Sequence, residues 1–180
     1  MTNVLQTPRL QLRKMKVEDE TFLLGMYQNP KVNASYVCDS LANPEILHKF
    51  VERMVNKEDD GKSYFWVVTL NDQPIGTFNT FISNDDTSTI EIGYAIDSPY
   101  WNNDYATEAL KEVIQFLWKN TEYHKIQCAY FLYNLASKRV MEKAGMIYEG
   151  IRKDVFLFRG EYQSCGYYYL IREKGWFYES

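Results

Sequence analysis

A chain of 180 residues is long enough to bury one substantial core, and with 46% hydrophobic and 24% charged residues it has the make-up of a packed globular protein. Its formal charge of -4 argues against a general nucleic-acid binder, which needs a dense basic surface, and favours cationic substrates such as amines. No apolar stretch approaches a membrane span, no signal-peptide core accompanies Arg9 and Arg13, and the scattered Cys38, Cys128 and Cys165 support neither a disulfide framework nor a zinc site, so a single cytoplasmic domain over 1–180 is expected.

Leu10 and Leu12 alternate with Arg9, Gln11 and Arg13 as in a first strand, and residues 17–28 read as a helix that Asn29-Pro30 closes. Asn43 is a natural N-cap with Pro44 suited to the first turn. After it Ile46, Leu47, Phe50, Val51, Met54 and Val55 recur at helical spacing to about Lys57, where Glu58-Asp59-Asp60-Gly61 stops the helix. Strands follow at 64–70, 75–82 and 89–96, divided by Asn71-Asp72-Gln73-Pro74 and Ser83-Asn84-Asp85-Asp86, as in an antiparallel meander. Ala106, Ala109, Leu110, Val113, Ile114 and Leu117 then share one face of a helix running to about Lys119. A strand at 125–131, a helix at 136–144 stopped by Gly145, and strands at 146–158 and 162–172 around Arg159-Gly160 complete the chain. The expected fold is α+β: one mixed, mostly antiparallel seven-stranded sheet with helices on both faces.

Between the strand ending near Asp97 and the following helix, Ser98-Pro99 leads into Asn102-Asn103-Asp104. The first turn of a helix carries unpaired N–H groups and the positive end of the macrodipole, so this turn suits a pyrophosphate. Asn tolerates the left-handed conformation such a turn needs, yet the same residues also read as an ordinary N-cap. Elsewhere His48 and His124 lack a second ligand at metal-binding spacing, which points away from a metal. Tyr162, Tyr167, Tyr168 and Tyr169 suit either an acceptor pocket or a packed sheet end, and Lys138 and Arg139 either phosphate contacts or a solvated helix face. Neither a Walker-type Gly-Lys-Ser/Thr nor a Gly-x-Gly-x-x-Gly run is present, which disfavours a nucleotide-binding α/β domain.

The run Trp101-Asn102-Asn103-Asp104-Tyr105-Ala106-Thr107-Glu108-Ala109-Leu110 resembles the acetyl-CoA pyrophosphate loop of the GNAT N-acetyltransferase superfamily, written Arg/Gln-x-x-Gly-x-Gly/Ala. Thr7-Pro8-Arg9-Leu10-Gln11-Leu12-Arg13 resembles the opening strand of its ribosomal-protein-alanine (RimJ/RimL-like) branch, and Glu91-Ile92-Gly93-Tyr94 that branch's fourth strand. Residues 134–150 resemble its Asn-x-x-Ser…Glu-Lys-x-Gly-Met/Phe…Glu-Gly segment, so four motifs stand in order over nearly the whole chain. Trp101 replaces Arg or Gln, and Asp104 stands where Gly is expected, so Asp104 is expected to point away from the phosphates.

This resemblance implies an α/β/α GNAT fold with a sheet splayed near its middle, acetyl-CoA as donor and no metal. It also implies an amine acceptor, either a protein N-terminus or a small molecule, with neither nucleic acid nor membrane as partner, and leaves a homodimer open. The backbone of Tyr94, Ala95 and Ile96 would pair with the pantetheine arm, Asn134 would bind that arm, and Asn102, Asn103, Asp104, Tyr105, Ala106 and Thr107 would grip the diphosphate, with Lys138 in reach. Ser137 becomes the candidate donor to the departing thiolate, because the tyrosine many members use falls at Met141; a hydroxyl bonding backbone at a helix start is its alternative. Glu91 is the candidate acceptor of the amine proton, its alternative being an exposed charge on an alternating strand. The sixth-strand Glu of some members falls at Phe156. A base is barely needed for an α-amino group, whose pKa of about 7.7–8.0, against about 10.4 for Lys, leaves part of it neutral at physiological pH. The implied reaction is direct attack in a ternary complex without an acetyl-enzyme. A non-catalytic acyl-CoA sensor on the same fold is the alternative, motivated by Asp104, Met141 and Phe156.

Overall fold

The structure, a computed structural model, describes residues 4–35, 39–57, 63–83 and 88–172. Chain order runs β1 (Leu5–Gln6), β2 (Leu10–Arg13), α1 (Glu20–Gln28), α2 (Pro30–Asn33), α3 (Pro44–Asn56), β3 (Phe65–Leu70), β4 (Gln73–Ile82) and β5 (Thr89–Ile96). It continues with α4 (Tyr105–Asn120), β6 (Lys125–Phe131), α5 (Leu135–Lys143), β7 (Ile147–Phe158) and β8 (Glu161–Ile171). All strands join one sheet in the order β1-β2-β3-β4-β5-β6-β8-β7, and β5–β6 is the parallel pair in an otherwise antiparallel ladder.

Among the described residues eight strands stand where seven were expected. The extra one, Leu5–Gln6, pairs with Leu12 and Gln11 across a turn closed by the Thr7 N–H to Leu10 C=O bond of 2.9 Å, and two residues are too few for a period to show. α1 ends at Gln28, before Asn29-Pro30 as expected, but a second short helix follows at once: Asn29 accepts from the Lys31 N–H at 3.1 Å and Pro30 opens α2, repeating the Asn43-Pro44 start of α3. Residues Val17–Asp19 form a 3-10 turn ahead of α1. The β3–β4 hairpin is tighter than expected, because Asn71 (φ 49°) and Asp72 (φ 64°) take left-handed conformations as a two-residue turn. That turn brings Pro74 into β4, beside a register shift between Val68 and Thr69. Cys38, Glu58-Asp59-Asp60-Gly61 and Asn84-Asp85-Asp86 lie outside the described residues.

Alternation along the strands divides the core. Leu12, Val68, Phe78, Ile90, Ile92 and Ile126 face Leu110, Val113 and Leu117 of α4 and Met141 of α5. On the opposite face Val67 and Ala95 meet Leu23, Met26, Tyr27, Leu47 and Val51 of α1 and α3. A third cluster, Phe131, Phe158, Cys165 and Tyr167 with Phe156 beside it, fills the far end of the β7–β8 hairpin. Two close approaches hold the sheet together. At Gly76 a Cβ would strike the Ala95 carbonyl, and at Gly166 it would enter the Tyr130 ring. Among the described residues no helix is long and apolar enough to cross a membrane.

One topological feature positions the site. The β5–β6 ladder consists of Thr89↔Lys125, Ile90↔Ile126 and Glu91↔Gln127, after which β5 stays with β4 while β6 follows β8. The sheet therefore splits beyond Glu91, leaving one edge of β5 without a strand partner up to Ile96.

Candidate active site

Antiparallel strands expose the N–H and C=O of alternate residues to opposite edges. Asp97 N–H bonds the Ile75 carbonyl of β4 and the Thr89 carbonyl accepts from Ser83, whereas the Ser88 carbonyl accepts from Lys125 on the other side. The even-numbered residues of β5 consequently face the split: both backbone groups of Tyr94, and the N–H of Ile96. Ala95 turns its own groups toward Thr77 and lends its methyl to the α1–α3 core. The Ile96 carbonyl accepts the Trp101 indole N–H at 2.6 Å, so Trp101 pins the start of the turn to the end of β5.

At the mouth of α4 the chain takes two left-handed positions, Asn102 (φ 63°) and Asp104 (φ 61°), separated by Asn103, whose amide donates to the carbonyls of Tyr100 (3.2 Å) and Trp101 (2.9 Å). The first intrahelical bond is Glu108 N–H to Asp104 C=O, 3.0 Å, so the N–H groups of Tyr105, Ala106 and Thr107 have no partner within the helix. Nearby the buried Thr107 hydroxyl is also without a hydrogen-bond partner. This is a concentration of unspent donors at the positive end of a helix of 16 residues, the chemistry that an anion satisfies.

A cavity of about 390 Å³ connects these features. Its walls include Tyr94, Ala95, Ile96, Asn102, Asp104, Tyr105, Ala106, Thr107, Asn134 and Ser137. Asn134 caps α5 by accepting the Ser137 N–H at 3.1 Å. The Ser137 hydroxyl lies 2.9 Å from that of Tyr94. Asn103 and Lys138 are not on the wall: Asn103 braces the turn, and Lys138 reaches Glu142 on its own helix at 3.5 Å. Arg139 and Lys143 take that place, the latter paired with Asp104 at 2.5 Å. The hydrogen bond and charge of Lys143 hold the Asp104 carboxyl below its ordinary range.

Glu91 stands apart from the cavity wall, at the last rung before the split, on the face opposite the Ile90 and Ile92 side chains. Its Oε2 accepts the Gln127 amide at 2.7 Å, and Gln127 is itself buried. Burial pushes the Cys128 thiol far above its usual range and that of Cys165 up to about 11, so neither offers a thiolate nucleophile at neutral pH. Phe156 packs edge-on to Phe131, 6.4 Å between centroids, in an apolar cluster rather than as a charged group. Tyr167 and Tyr168 are buried in the sheet, and Tyr168 donates to Glu142 at 2.8 Å.

Several wall residues escaped the reading of the sequence. Lys143 falls at helical spacing from Ala136, Arg139 and Val140, a periodicity that would have added it to Arg139 and favoured both over Lys138. Val32 and Ser35 reach the cavity from the end of α2, joined to the far side of the split by Tyr133 O–H to the Ala34 carbonyl at 2.9 Å. No local pattern signals that long-range contact.

The sheet thus splits after three parallel rungs, and the N-terminus of α4 opens onto the cavity beside the split. The model of the Acetyltransferase (GNAT) domain matches residues 9–147, and the chain belongs to the GNAT family and is an acetyltransferase. It is 28% identical over 172 residues to the uncharacterized N-acetyltransferase YnaD of Bacillus subtilis (strain 168), covering 96% of this chain and 98% of that protein. Its fold is similar to a GNAT-family acetyltransferase from Bacillus anthracis, with a TM-score of 0.81 at 24% identity over 93% of this chain and 98% of the other. Equally similar is RimL, a ribosomal alpha-N-protein acetyltransferase solved in complex with coenzyme A, with a TM-score of 0.82 at 16% identity over 94% and 98% of the two chains.

Proposed function

We propose that the protein moves an acetyl group from acetyl-CoA to a primary amine by direct attack within the split. The observation that carries this reading is the continuity of one cavity from the N–H groups of α4, past the open edge of Tyr94, to Asn134 and Ser137 on α5. Unspent backbone donors and the orphaned Thr107 hydroxyl suit a diphosphate, and the paired N–H and C=O of Tyr94 suit the amides of a pantetheine arm. Supplied from that side, the donor brings its thioester to the split, while Glu91 waits on the opposite face of the sheet. There Glu91 accepts the proton of the attacking amine, directly or through water, and Gln127 orients its carboxylate. The two buried thiols, both held protonated, favour attack by the amine without an acetyl-enzyme.

Much of the acceleration then comes from holding amine and thioester in line. An α-amino group is the better nucleophile at neutral pH, so we place the acceptor among N-terminal or small α-amines. The opening Thr7-to-Arg13 motif and the fold of RimL support a place beside the ribosomal-protein-alanine branch. The test is thermal shift with CoA, acetyl-CoA, ATP and NAD, followed by free-thiol release over an amine panel. Stabilisation by the two CoA species with amine-dependent thiol release is expected. Preferential stabilisation by ATP or NAD, or CoA binding without turnover on any amine, would overturn the proposal.

A further inference from the structure

The side chain of Tyr94 adds something its backbone does not. The ring stacks on Phe78 with centroids 5.1 Å apart, which fixes the phenol at the cavity wall. Its oxygen lies 2.9 Å from Ser137 Oγ and 3.2 Å from the Ser137 carbonyl oxygen. The phenol has one proton for two acceptors, the Ser137 carbonyl and the Ser137 hydroxyl; donation to the nearer hydroxyl leaves the serine's own proton to turn toward the cavity. We propose that Tyr94 is a positioning residue for Ser137, its phenol holding the serine hydroxyl so that the proton faces the departing sulfur.

This inference rests on acetyl transfer in the split. In the step it serves, the amine nitrogen forms a bond to the acetyl carbon, the carbon–sulfur bond breaks, and its electron pair leaves on sulfur. Ser137 steadies that sulfur by a hydrogen bond, the nitrogen's proton passes to Glu91 or water, and the thiolate takes its proton from solvent on release. Tyr94 keeps its proton throughout, because burial raises the phenol well above its ordinary value near 10. Its task is geometric rather than acidic.

Tyr94→Phe preserves the ring and its stack while removing the hydroxyl. A loss of about five-fold in kcat is expected, the size of one oriented hydrogen bond, with KM for acetyl-CoA within about two-fold and an unchanged melting temperature. Ser137→Ala should lose at least as much, and the double variant should be no slower than Ser137→Ala alone, since the phenol acts through that hydroxyl. Multiplying losses in the double variant, or a Tyr94→Phe enzyme with unchanged kcat, would overturn the proposal. Failure of the wild-type protein to release thiol would remove the underlying acetyl-transfer reading, and the proposal with it, so the two failures are told apart by the wild-type control.

Discussion

At Asp104 a carboxylate occupies a left-handed backbone position beside the donors of a helix N-terminus, a place where both conformation and charge need compensation. Lys143 supplies the charge compensation from across the cavity mouth. Lys143→Gln should therefore raise KM for acetyl-CoA by about 3–5-fold at low salt, and Asp104→Asn in the same chain should restore it. Acetyl-pantetheine, which lacks the phosphates, should not distinguish the variants; equal losses with both donors would contradict this account. The departure of Asp104 from glycine was legible in the sequence, but its partner was not, because residues 39 positions apart meet only after the fold forms. Glu91 was legible from its strand motif, whereas Gln127 needed the ladder register. Glu91→Gln should lower kcat/KM by about 10²-fold, with a smaller loss at high pH where the amine is already neutral. A pH-independent loss in a rate profile would argue against a base.

Helix and strand ends decide how the site is assembled. Asn134 caps α5 and thereby sets where Ser137 points, so Asn134→Ala should lower the melting temperature by about 2–4 °C, as expected for loss of about 1 kcal/mol of capping. It should also raise KM for acetyl-CoA, and a stable variant with unchanged KM would separate the cap from the binding role. Most element types were readable: the 3.6-residue period of α3 and α4 and the β-branched and aromatic runs of β3 to β5, bounded by turn residues, leave little choice. Boundaries were harder where the same residues serve two purposes. Asn29-Pro30 reads as a stop, which it is for α1, and it also opens α2; Asn71 and Asp72 read as part of a loop, yet they suffice for a hairpin turn. Gly166 carries no recognisable turn signal because its function is space. Gly166→Ala would push a methyl into the Tyr130 ring and should cost about 1–3 kcal/mol, seen as a lowered urea midpoint.

Across the whole molecule, the N-terminal segment is tied to the helix that faces the split. Glu108 on α4 accepts from the Thr7 hydroxyl (2.6 Å), the Arg9 N–H (2.9 Å) and the Arg9 guanidinium (2.7 Å), while Arg9 lies over the Tyr105 ring at 4.6 Å. Burial alone would raise the Glu108 pKa, but these donors outweigh it and hold it below its ordinary value near 4.5. A depressed carboxyl contributes stability that is present above its unfolded value and is lost as pH falls through the folded one. The melting temperature should thus drop as pH falls below about 4.5, and Glu108→Gln should flatten that part of the curve; an unaltered acid limb would deny the clamp its role. This connection explains the opening Thr7-to-Arg13 motif in physical terms, although the sequence showed the motif without its partner. The split itself follows from the short β5–β6 ladder, and everything proposed for the site depends on what fills it. A crystal structure with acetyl-CoA bound is the most direct measurement. The diphosphate should accept hydrogen bonds from the N–H groups of Tyr105, Ala106 and Thr107, with the pantetheine arm laid along Tyr94; a coenzyme seated away from the α4 N-terminus would contradict the account.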